Sequence, residues 1–149
     1  MAPLTKRGFH VEHPFRAWVA AGFAATAALG RFEWVERAAL GKEPAYSPAR
    51  VAERLFGTRR LGPLLRWTYG PALGALYGAL RSRVRIPAAA FGVAVALGES
   101  IAMPKLGALP RLHGRERAAL FLHAVAFALA AEVALRQAAR SASPKAIAV

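Results

Sequence analysis

Residues 64–80 read LLRWTYGPALGALYGAL, and no helical face drawn through them is polar. In water the outer side of such a helix would present alanine, leucine and aromatic rings, so the stretch asks for lipid. The same holds for the run AAAFGVAVALGESIAM, which follows Ile86 with Pro87 in the first turn and ends at Pro104, and for Ala118 to Leu135, which Arg136 and Arg140 close. A fourth run, FRAWVAAGFAATAAL from Phe15 to Leu29, continues as a mixed helix through Arg31, Glu33, Trp34, Glu36 and Arg37. Each run of roughly 18 residues just crosses about 30 Å of hydrocarbon. The expected fold is therefore all-α, an integral membrane bundle of about four transmembrane helices at 15–37, 64–81, 86–103 and 118–136, forming one domain over 1–149.

Between the first two runs the chain is polar from Gly41 to Pro63, with turn signals at Glu43-Pro44 and Ser47-Pro48. Ser47 caps a short amphipathic helix at 48–56, in which Val51, Leu55 and Phe56 share one face and Arg50, Glu53 and Arg54 the other. It is expected to lie on the membrane surface or against the end of the bundle. Trp18 and Trp34 stand where an aromatic belt belongs.

Composition fits this placement. The chain has 149 residues, 56% of them hydrophobic, with a net charge of +13 that lies mainly between the apolar runs. A nucleic-acid binder needs a basic face on a half-polar body, so no nucleic acid is expected. The absence of cysteine excludes disulfides, thiolate metal sites and cysteine nucleophiles. Two competing readings are a secretory signal peptide, from the Ala25-Thr26-Ala27 pattern, and a water-soluble helical bundle. The apolar runs that follow weigh against the first, and their lack of a polar face against the second. The lysine and arginine tally mildly favours the side of the 41–63 and 104–117 connections as cytoplasmic, but the dense Arg81, Arg83 and Arg85 loop favours the other, so no orientation is set.

Small residues mark the helix contacts. Gly70, Gly74 and Gly78 are four apart, as are Ala88, Gly92 and Ala96, and Ala124 and Ala128 repeat the spacing. Such stripes let backbones approach closely, whether within one chain or between copies. Pro71 is expected to bend its helix or open it locally.

Ionisable residues inside spans are costly and become candidates for function. With alternating span directions, Glu33, Arg66, Glu99 and His123 fall at one depth on one side, and a histidine beside a carboxylate can relay protons near neutral pH. The simpler reading is that these groups tie helices together near the interface. Glu33 and Arg37, one turn apart, are expected to pair, as are Glu132 and Arg136. His10 and His13 flank Glu12 but lack further ligands, and no phosphate loop or nucleophile motif is present, so no metal, cofactor or enzymatic activity is expected.

The words Tyr69-Gly70, Gly74 and Tyr77-Gly78, the Gly92 run ending in Met103-Pro104-x-x-Gly107, and the connection Glu43-Pro44-Ala45-Tyr46-Ser47-Pro48 resemble the YagU-like group of small bacterial inner-membrane proteins. The resemblance implies a four-helix membrane fold, with some members linked to stress or acid tolerance. Arg66 stands where such proteins commonly carry a histidine, and no catalytic residue carries over. The sequence thus points to a multi-pass membrane protein with a structural or accessory role, in contact with anionic headgroups and with a second copy or a membrane partner. Its alternatives are proton or solute handling at the Glu99 and His123 level, and a subunit of a larger complex.

Overall fold

The computed structural model describes residues 14–142; His10, Glu12 and His13 lie outside the described residues. Those residues form five α-helices and a short 3-10 turn: α1 (Pro14–Leu40), α2 (Pro48–Phe56), the turn Arg59–Leu61, α3 (Gly62–Arg83), α4 (Ala88–Lys105) and α5 (Gly114–Ala142). The fold is all-helical. Helices α4 and α5 are long and apolar enough to cross a membrane, while α1 and α3, interrupted by arginines, fall below that measure over the described residues. Only 22% of α4 and 39% of the apolar stretch of α5 is buried in the chain, so each keeps a wide apolar face exposed. Ile101 and Leu122 are more than half exposed, and Val93, Leu97, Leu129 and Val133 also face outward.

Local chemistry sets the elements. The Ser47 side chain accepts the Arg50 N–H at 3.4 Å and Pro48 opens the first turn of α2, which ends where Gly57 takes a left-handed φ of 70°. Helix α3 runs unbroken through Pro71. Helix α4 starts two residues after the expected Ile86, because Pro87 is extended and its carbonyl accepts the Phe91 N–H at 3.1 Å.

Helices α1 and α3 pack antiparallel in steps of four residues. Trp18 covers Gly78, Gly22 meets Gly74, Thr26 meets Gly70, and Arg66 reaches Gly30. A Cβ on Gly74 would lie 2.5 Å from the Gly22 nitrogen and 2.8 Å from the Trp18 carbonyl oxygen, so backbone rests on backbone. The glycine groove is filled from within the chain. Gly92 plays the same part for α4 on α5, where a Cβ would stand 2.6 Å from Val125 Cα, and Ala88, Ala96, Ala124 and Ala128 are buried with it.

Helix α1 also packs along α5, giving the order α3, α1, α5, α4 around the bundle. Helices α3 and α4 close the ring differently, with side chains reaching across: the Tyr77 ring packs tilted against Phe91 at 4.9 Å between centroids, and Tyr69 reaches Glu99. Trp18 belongs to the α1–α3 contact, whereas Trp34 projects outward, 74% exposed.

Candidate functional site

A cavity of about 240 Å3 lies inside the bundle, at the end carrying α2 and the loop of residues 106–113. The C-terminal half of α1, the N-terminal half of α3, α4 from Phe91 to Met103 and the N-terminal half of α5 wall it, as antiparallel packing requires. Val51 and Leu55 of α2, with Tyr46 and Ser47 before them, cover it. Glu33, Arg66, Glu99 and His123 all line it. They are not one contiguous cluster but three separate pairings.

In the first, the Arg66 guanidinium donates from Nη1 to Glu33 at 3.0 Å and from Nη2 to the Thr26 carbonyl at 3.3 Å. Gly30 makes room for it, since a Cβ there would stand 2.9 Å from Nη2. The expected Glu33–Arg37 pair does not form: Arg37 turns instead towards Glu43, at 3.8 Å. An arginine on the facing helix offers Glu33 a planar, inward partner that an exposed residue of its own helix does not.

The second pairing brings in Glu36, outside the expected set. Its side chain is only 4% exposed, and His123 Nδ1 stands 3.1 Å and 3.2 Å from its two oxygens, so Nδ1 carries the proton and donates. Phe32 and Tyr46 flank the imidazole. The Tyr46 hydroxyl is buried close to Glu36, without a well-formed hydrogen bond among the described residues. Burial and the Glu36 charge together hold this phenol above its ordinary pKa, so it stays protonated. Glu36 was findable in sequence: it lies three residues beyond Glu33, on the same helical face.

In the third, Tyr69 donates to Glu99 at 2.6 Å across the α3–α4 seam. No cation is paired with Glu99 among the described residues.

Outside the cavity, Glu43 gathers the polar connection. Ser47 donates to it at 2.8 Å, Arg59 hydrogen-bonds it, and Arg50 and Arg37 stand within 4 Å. Burial pushes its carboxyl up, but these hydrogen bonds and charges outweigh that and hold its pKa below 4.5. At the opposite end of the bundle Glu132 is buried and takes three partners: Tyr77 at 2.8 Å, Arg81 at 2.9 Å and Arg136 at 2.6 Å. The expected Glu132–Arg136 pair is thus part of a knot tying α3 to α5. An open cleft of about 850 Å3 lies beside it, and the Tyr77 ring stands between this cleft and Phe91 of the cavity.

No three metal-ligating side chains stand together among the described residues. No family model, curated protein or solved structure matches the chain.

Proposed function

We propose that the protein is a small multi-pass membrane protein whose four long helices all cross the bilayer, and that it handles a proton or small solute at the Glu99 and His123 level. The reading places it in a bacterial inner membrane, as the YagU-like words imply, with no enzymatic step. Support for the lipid setting comes from the outward apolar faces of α4 and α5, which water would penalise. Arginines at both ends, Arg81, Arg83 and Arg85 at one and Arg54 and Arg60 at the other, then meet anionic headgroups.

One observation carries the functional reading: three carboxylates, a histidine and two tyrosine hydroxyls face a single cavity between membrane-length helices. Packing alone has no use for such a void, and ionisable groups held at this depth are costly unless they work. The test is pH-gradient-driven proton flux into liposomes holding the purified chain, followed with an entrapped pH dye. Flux is expected from the wild type and lost in Glu99→Gln, with elution from a sizing column unchanged. Flux that survives in Glu99→Gln refutes the reading, and a wild type no leakier than empty liposomes refutes its proton form.

A structural or accessory role is the second reading. Gly98 favours it, opening onto the outward face of Val93, Leu97 and Ile101 with no heavy atom near a Cβ placed there. A helix of a second copy or of a membrane partner fits against such a face. Loss of a copurifying chain in Gly98→Leu supports it.

A further inference from the structure

The paired side chains around the cavity leave one carboxyl over. Arg66 is taken by Glu33, His123 by Glu36, and Arg37 is turned to Glu43. Glu99 is left with a neutral phenol as its hydrogen-bond partner among the described residues. A carboxylate in an apolar enclosure is stabilised by a counter-charge far more than by one hydroxyl.

The cavity that Glu99 lines has aromatic walls. Tyr69, Phe91 and Phe127 line the cavity, and the Tyr46 hydroxyl at its covered end is buried without a well-formed hydrogen bond among the described residues. Aromatic faces attract cations, most strongly where water is excluded. Tyr69 lines the cavity and is itself 41% exposed, so its side chain alone stands between Glu99 and the outer surface at the α3–α4 seam. In a bilayer that side faces acyl chains, which admit amphipathic molecules and exclude hydrophilic ones.

From the cavity, its aromatic walls and the carboxylate without a cation, we infer that the ligand is a small lipophilic organic cation, an arylalkyl ammonium in class, which enters through the α3–α4 seam and pairs with Glu99. This rests on the reading of the cavity as a working site and names what it takes. A volume of about 240 Å3 suits one aromatic ring with a short ammonium arm. On entry the Tyr69 hydroxyl gives up the carboxylate and its ring remains as a wall. The groups facing the bound cation are then Glu99 from α4, Tyr69 and Arg66 from α3, Glu36 and Glu33 from α1, and His123 from α5. With the other pairs intact, the ammonium supplies the positive partner that Glu99 lacks.

The experiment titrates benzyltrimethylammonium into the full-length protein in mild detergent by calorimetry, with benzyl alcohol as the neutral arene. Saturable one-to-one binding of the ammonium is expected, weakened about tenfold or more in Glu99→Gln. Glu53→Gln, on the exposed side of α2, leaves it unchanged. Tyr69→Phe frees the carboxylate and keeps the ring, so it binds at least as tightly as the wild type. Equal binding by Glu99→Gln, binding of benzyl alcohol as tight as that of the ammonium, or loss of binding in Tyr69→Phe overturns the inference. Proton flux that persists where no ammonium binds overturns the cation and leaves proton handling standing. Absence of both removes the site.

Discussion

Replacing Gly74 with alanine adds one methyl group at the tightest point of the α1–α3 contact. The new carbon would sit 2.5 Å from the Gly22 nitrogen and 2.8 Å from the Trp18 carbonyl, against the 3.5 Å or more that non-bonded heavy atoms prefer. Both neighbours are backbone and cannot swing away, so the helices must part by about 1 Å. A gap of that size forfeits a quarter to a half of the dispersion energy of each lost contact. The groove holds four such steps, which places the cost at the top of the overpacking range, about 3 kcal/mol. Gly98→Ala is the control: its Cβ meets nothing, and the gain in helix propensity makes it neutral or more stable by up to about 1 kcal/mol. Reversible titration with sodium dodecyl sulfate in mixed micelles, followed by tryptophan fluorescence, measures both, because Trp18 lies over Gly78 in the same groove. The loss has to be independent of protein concentration, since the groove is filled by the chain's own α1. A Gly74→Ala protein as stable as Gly98→Ala, or one whose loss scales with dilution, would show that the contact is not made as described.

Two further outcomes follow from the ion pairs. Removing the imidazole in His123→Ala leaves the buried Glu36 carboxylate without its partner and costs about 3 kcal/mol, whereas replacing both residues by leucine costs much less; melting temperatures in one detergent compare the two, and equal values for His123→Ala and wild type refute the pairing. The Glu43 carboxyl has a folded pKa below 4.5, so its contribution is complete above that value and is lost as pH falls through the lower folded one. Proteolysis of the 41–62 connection is therefore expected to accelerate below pH 4.5 in the wild type, while Glu43→Gln, cleaved faster at neutral pH, shows no such step; a parallel pH response in both proteins contradicts the assignment.

Sequence reasoning reached furthest where the cause is local. The Ser47 cap and the Pro48 start of α2 need only neighbouring residues, and the observed helix has the expected bounds. Helicity throughout follows from apolar runs without strand alternation. Bounds of the long helices were less legible: α5 extends about one turn before Ala118 and about two turns past Leu135, because Arg115, Glu116, Arg136 and Arg140 end an apolar pattern without ending a helix. The pairings were least legible. Glu36 and His123 are 87 residues apart, and the step from Glu33 to Arg66 rather than Arg37 depends on how α3 lies on α1. Gly30, isolated in the sequence, acquires its meaning only from the guanidinium laid against it.

The unequal edges of the bundle have a mechanical consequence. Helices α1 and α5 form a spine, with α3 bound to one through glycine and α4 to the other, like two covers of a book. Along the fore-edge two aromatic clasps, Tyr69 on Glu99 and Tyr77 on Phe91, hold the covers together. A squeeze or stretch from the surroundings is taken up first at these clasps, while the bindings beside the spine, where main chains touch, keep their spacing.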